Sequence, residues 1–456
     1  MRRWWNEGTG ILITAGALAV TGCGGSSSLR TTQKPITPAA TGMQGAAFGG
    51  QQAITGMSVQ MYAVGGSGYG SAATAVLGTP LITNSNGQFT FPANWYDGCP
   101  SGGSLVYLVG TGGVPLAGNT GGVANSRLAL MVALGTCSSL ETGTHHVHMN
   151  ELTTVAAVWA LAPFMTGTTN SYLTIGSPSL TNATGMTLAF GAANEVVNTD
   201  TGTFPGTLPT GATLPTTELY SIANILEACI NSTGGAANDG SACGNLFRDA
   251  SAGSNYPTDT ITAATNIAQN PARNVTPLFN DAEAQPAFQV PLGSAPNAWT
   301  VAIQYTGGGL NAPTTVAADQ SGNIWVGNSG SGAVSRFDNL GNAQTPTSLG
   351  GIPAGIAIDL TGNAWVTASN NDVYELDKTT GDITGTTPFT GFSTPTGVAV
   401  DPAGYIWVVN NGNNSVSAFN SSGTSLLNGP FTSTSLSSPG SIAINGNANA
   451  NCADCH

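Results

Sequence analysis

Val316-Ala317-Ala318-Asp319-Gln320-Ser321-Gly322-Asn323-Ile324-Trp325-Val326 recurs twice further along the chain. The copies are Ile356-Ala357-Ile358-Asp359-Leu360-Thr361-Gly362-Asn363-Ala364-Trp365-Val366 and Val398-Ala399-Val400-Asp401-Pro402-Ala403-Gly404-Tyr405-Ile406-Trp407-Val408. Pro313, Pro353 and Pro395 precede them and Pro439 follows the last, at steps of 40, 42 and 44 residues. Each unit reads as a strand, a tight turn around glycine, a strand with tryptophan, and a third apolar strand. Those third strands are Val334 to Phe337, Val373 to Leu376 and Val416 to Phe419. A period of about 40–45 residues with four strands is a β-propeller blade.

The repeat covers residues from 296 onward. Trp299 to Tyr305 is expected to supply the fourth strand of a preceding blade, and Gly440 to Asn445 to restart the first strand of another. The tryptophan strand of that last unit does not follow, so the propeller is expected to be incomplete or the chain truncated. An open array would expose strand edges. The pattern resembles NHL repeats and streptogramin-lyase-like propellers. That resemblance implies a propeller, and for the lyases a reaction carried by histidine and a magnesium-binding glutamate. Here the repeats hold no histidine before His456 and only Glu375 as glutamate, so the activity does not carry over.

Within the repeats, Asp319, Asp359 and Asp401 lack the ligand spacing of a calcium loop. They read as turn caps, with glycine taking φ > 0. Trp325, Trp365 and Trp407 read as packing between blades.

Upstream, residues 42–150 read as a β-sandwich. Ile54 to Tyr62 alternates as one half-buried strand, Asn86-Gly87 signals a hairpin turn, and Leu105 to Val109 is a continuous apolar run. The order resembles the carboxypeptidase-regulatory-like module, a transthyretin- or Ig-type sandwich used as a spacer or adhesive unit. Residues 151–295 read as a helical, loop-rich region. Helices are expected over Leu152 to Leu161, Thr217 to Ile230 and Thr260 to Gln269, the last entered through Thr258 and Asp259. The fold class is therefore mainly β with a helical insert: a sandwich, a small α region and a partial propeller.

Composition bounds the function. Of 456 residues only 7% are charged, and the formal charge is −13, where ordinary domains carry about 25% charged residues. With 9 Lys and Arg, a phosphate-tracking nucleic-acid binder is excluded. Arg2, Arg3 and the apolar Gly10 to Val20 form a secretory signal over residues 1–22. Val20-Thr21-Gly22-Cys23 resembles a lipobox, which implies lipidation of Cys23, and the Ser- and Pro-bearing stretch that follows reads as a flexible linker over 23–41. The protein is expected to be exported and anchored to the cell or outer membrane through that lipid alone. The remaining cysteines fall in pairs: Cys99 with Cys137, Cys229 with Cys243, and Cys452 with Cys455. The first two pairs are expected disulfides.

Two motifs are candidates for chemistry. His146 and His148 share one strand face and could hold a transition metal, with Glu151 on the opposite face; the alternative is a polar strand end. Cys452-Ala453-Asp454-Cys455-His456 has the C-x-x-C-H form of haem c attachment. Its Asn-Ala surroundings favour a cysteine pair or free thiols, so no cofactor is the expectation, with haem c as the exception. The leading functional expectation is a non-enzymatic surface protein that binds a protein or polysaccharide. The alternatives are a lyase-like propeller enzyme and a haem electron carrier.

Overall fold

A computed structural model describes residues 42–115, 122–166, 170–177, 183–253, 255–282, 286–385, 387–424 and 429–444. The signal segment, Cys23, the linker, Asn445 and the Cys452-Cys455-His456 motif lie outside the described residues. The fold is mostly β-sheet with a minority of helix.

Two five-stranded sheets form the first part. In one, Gly42–Gly49 runs parallel to Thr144–Met149 and antiparallel to Gln88–Thr90 and Gln52–Thr55. In the other, Leu105–Thr111 lies between Ser58–Ala63 and Ala129–Thr136. Leu105 to Val109 is buried throughout, which is why it shows no alternation: both faces of that sheet are covered. The Glu151–Leu161, Ala183–Val196 and Thr260–Gln269 helices pack on its Ala129–Thr136 strand. One hydrophobic core consequently runs from Met43 to Trp299.

Three expectations change here. Ile54 to Tyr62 is not one strand. Gly56 takes φ +71°, and the chain crosses from the Gln52–Thr55 strand of one sheet to the Ser58–Ala63 strand of the other. Asn86-Gly87 does make the tight turn, closed by the Asn84 N–H to the Gln88 carbonyl and the Gly87 N–H to the Asn84 carbonyl at 2.9 Å each, but beyond it Leu81–Ile82 and Gln88–Thr90 pair in different sheets, so the turn also bridges sheets. Trp299 to Tyr305 is not a blade strand. Trp299 is fully buried in the upstream core, its carbonyl accepts the Trp159 indole N–H, and Gln304–Tyr305 pairs with Ala212–Thr213.

The expected helices form as Glu151–Leu161, Thr216–Ile230 and Thr260–Gln269. Asp259 caps the last, accepting the Thr262 N–H at 2.8 Å. The Ala183–Val196 helix was not legible, because Gly185 and Gly191 interrupt its periodic Met186, Ala189, Phe190, Ala193 and Val196. Disulfides join Cys99 to Cys137 and Cys229 to Cys243.

Asp281, at the end of the Val275–Asn280 helix, gives a pH test. Burial and then the neighbouring Asp249 push its carboxyl up to about 7, against the pull of Arg248. The folded protein therefore holds a proton that the unfolded chain releases above about pH 4. Its contribution to stability is full below pH 4 and is lost as pH rises to about 7. Urea midpoints from pH 4 to 8 are expected to fall less steeply in Asp281→Asn than in the parent protein.

The repeats form three antiparallel sheets. The first is Pro313–Ala318, Ile324–Asn328, Ala333–Phe337 and Thr347–Ser348. The second is Pro353–Ile358, Ala364–Ala368 and Asp372–Leu376, with single bridges from Leu376 to Ile383 and from Val373 to Phe389. The third is Pro395–Val400, Ile406–Asn410, Ser415–Phe419 and Phe431–Thr432. Register repeats with the sequence: Ala317, Ala357 and Ala399 face Trp325, Trp365 and Trp407. Each proline opens its strand ahead of a bulge, a position that tolerates its missing N–H. Ser441 and Ile442 lie beside Gly397 as Thr396 and Val398 lie beside Gly355. They occupy the place of a further first strand without forming one among the described residues.

Candidate functional site: the groove between the first two blades

The groove is built from the turns that the repeat encodes. Asp319 Oδ1 accepts the N–H of Ser321 at 2.9 Å and of Asn323 at 3.0 Å. Asp359 and Asp401 do the same for Thr361 and Asn363 and for Ala403 and Tyr405. Gly322, Gly362 and Gly404 take φ +83°, +97° and +84° in these turns, so the aspartates cap turns as expected.

The second carboxylate oxygen does something the sequence did not announce. It accepts the tryptophan indole N–H in every unit: Trp325 at 3.3 Å, Trp365 at 3.0 Å and Trp407 at 2.9 Å. The constant six-residue spacing from aspartate to tryptophan was the available signal. Trp325 and Trp365 are buried against side chains of the following blade. Trp407 is only half-buried, stacked on Phe431. A second set of turns was missed. Asp338, Asp377 and Asn420 each accept two backbone N–H groups through Oδ1.

Between the first and second blades these turns enclose a groove of about 480 Å³. Its lining is polar: Asp319, Gln320, Asn323, Arg336, Gln344 and Lys378 supply most of its hydrogen-bonding groups. Arg336 lies over the Trp325 ring at 5.3 Å. It reaches across to the second blade, donating to the Lys378 carbonyl and to the Thr379 carbonyl at 2.6 Å. Lys378 Nζ donates to the Thr361 carbonyl at 2.8 Å. Among the described residues the other basic side chains are Arg127, Arg248 and Arg273, so this groove concentrates scarce positive charge. A smaller recess of about 210 Å³ lies beside Phe389, Phe392 and Phe419. The innermost strands, Pro313–Ala318, Pro353–Ile358 and Pro395–Val400, carry only Pro, Thr, Gly, Ala, Val and Ile. They offer no general acid or base.

The histidine pair sits elsewhere. His146 Nδ1 meets Gln44 Nε2 at 3.1 Å. His148 Nδ1 meets the Asp200 carbonyl at 3.1 Å, its ring stacks on Phe48, and burial pulls its pKa down. Among the described residues no three of His, Cys, Asp and Glu gather as a metal site. Glu151 is not on the far face of that strand. The strand ends at Met149 because Asn150 caps the next helix, its side chain accepting the Thr153 N–H. Glu151 is that helix's first residue.

A family model described as NHL repeat matches residues 392–419, which span most of the third blade. Virginiamycin B lyase from Staphylococcus aureus is 21% identical, with a TM-score of 0.28 over 31% of this chain and 48% of that one. A structure of U3-55K is 12% identical, with a TM-score of 0.24 over 26% and 39%. The computationally designed Ika4 protein is 14% identical, with a TM-score of 0.26 over 30% and 81%. The chain thus spans about half the length of the lyase structure. No curated protein matches the chain.

Proposed function

We propose that this is a non-enzymatic binding or scaffold protein whose blades take a hydroxyl-rich polymer, a polysaccharide, in the groove between the first two blades. The observation that carries this is the lining of that groove. Amides, carboxylates and two cationic side chains converge on one open channel, as recognition of many hydroxyls requires. The innermost strands, lacking acids and bases, support binding over catalysis. Export and a lipid anchor at Cys23 belong to the same proposal. Two disulfides support the oxidising compartment, and an anchored body is placed to hold an envelope or extracellular polymer.

The test is binding of labelled neutral and acidic polysaccharides to the full chain. Lys378 and Gln320 are exposed, so Lys378→Ala and Gln320→Ala can remove contacts without opening a core. Lys378→Ala is expected to weaken binding about tenfold, the loss of roughly one charge-assisted hydrogen bond, and Gln320→Ala about fivefold, the loss of roughly one neutral hydrogen bond. Polysaccharide turnover, or binding indifferent to both variants, would refute the proposal.

A further inference from the structure

The turn whose Asp338 borders the groove presents Leu340 and Asn342 to a second cleft, of about 250 Å³. The end of the Ala183–Val196 helix and the Thr207-Leu208-Pro209 stretch complete it. Glycines bring these parts together. A Cβ on Gly341, which takes φ +77°, would stand 2.3 Å from the Tyr305 ring. One on Gly206 would stand 1.9 Å from the Asn194 carbonyl oxygen. Leu208, Pro209 and Leu340 give the cleft apolar walls.

Its polar lining is one-sided. Glu195 lines the cleft and is only 9% exposed. Its Oε2 meets the Tyr305 hydroxyl at 3.5 Å, longer than a firm O–H···O bond. Its Oε1 has no hydrogen-bond partner among the described residues. Asn194 Nδ2 donates to the Leu134 and Phe190 carbonyls at 3.0 Å each, and Asn342 Nδ2 donates to the Asp338 carboxylate. The amide nitrogens are thus committed to the protein, and the side-chain oxygens are left over as acceptors. Among the described residues no basic side chain pairs with Glu195. The charge acting on it is that of Asp338, which repels. Burial foremost, and Asp338 with it, raises the Glu195 carboxyl against the pull of the Tyr305 hydrogen bond. The helix end adds the negative pole of its dipole, with no basic residue in its last turn.

We propose that this cleft binds a primary ammonium on an apolar stem, the lysine side chain of a partner polypeptide, with its nitrogen on Glu195 Oε1. An ammonium carries three donors and no acceptor, which matches a lining whose unused groups are acceptors. The lysine stem lies along apolar surface while its head keeps polar company, as Leu208, Pro209 and Leu340 provide. A hard metal ion fits less well, because it wants six or more oxygens and the walls here are apolar. Water could reach Oε1 but brings no charge to it. A lysine seated there touches helix and first blade together, so its partner docks across their joint and independently of the groove.

The test is titration of the full chain with Nα-acetyl-lysine N-methylamide, followed by ligand-observed NMR. The norleucine analogue, which keeps the stem and lacks the ammonium, is titrated beside it. The lysine compound is expected to bind at least tenfold more tightly, the worth of one charge-assisted hydrogen bond. Glu195→Gln keeps the shape and is expected to erase that preference while remaining folded by circular dichroism. Leu340→Ala removes a half-exposed wall and is expected to weaken both compounds severalfold. The norleucine comparison needs no variant, so it decides the matter even if Glu195→Gln does not fold. No binding of the lysine compound, or equal binding of the two, would overturn the proposal. A Glu195→Gln protein that keeps the parent's preference would overturn it by placing the site elsewhere.

Discussion

Trp365→Ala is expected to destabilise the repeat region by about 4 kcal/mol, the usual range for deleting a fully buried large aromatic. The Trp365 ring stacks on Phe389 at 5.6 Å and meets Phe419 edge-on at 5.8 Å. Val398, Ile406 and Val408 of the third blade share the same cluster. The substitution thus removes the largest side chain through which the second blade packs on the third. It also leaves Asp359 Oδ2 without the indole N–H it accepts, which adds to the cost. Trp407→Ala serves as the comparison. That ring is half-buried with Phe431 on one face, and its loss is expected to cost less than half as much. Urea unfolding followed by circular dichroism checks both. Equal costs would show that the tryptophans do not act by packing one blade into the next.

The second large effect is expected from the disulfides. In the chain-entropy treatment, closing the Cys99–Cys137 loop, 38 positions apart, is worth about 4 kcal/mol. The Cys229–Cys243 loop, 14 positions apart, is worth about 3 kcal/mol. Cys99→Ser with Cys137→Ser is therefore expected to lower the unfolding midpoint more than the other pair of substitutions. Cys229 and Cys243 are fully buried, whereas Cys99 is only partly so. A mild reductant should accordingly open the longer loop first, which mass spectrometry after thiol alkylation would show. The reverse order would mean that local packing, not loop length and access, governs these bonds.

What could be seen in advance follows from how local each contact is. A blade closes on itself within about forty residues, so Asp319, Gly322 and Trp325 display strands, turn and register in one short stretch. The aspartate's hold on the indole was in view only as a spacing, since neither residue type alone implies it. In the sandwich, alternation marked the strands but not their sheets. Gly56, at φ +71°, sends two segments of one apparent strand into opposite layers. The groove was hidden because Arg336 and Lys378 come from different blades and converge only when those blades pack. Glu151 was misplaced because a helix cap at Asn150, and not a change of pattern, ends the preceding strand.

The most direct measurement is a crystal structure of the full chain with a bound oligosaccharide taken from the tightest-binding polysaccharide. The ligand is expected intact between the first two blades, within hydrogen-bond distance of Gln320, Asn323 and Lys378. A ligand seated instead against Phe389, Phe392 and Phe419, or a cleaved one, would contradict a non-catalytic binding groove at the first blade junction.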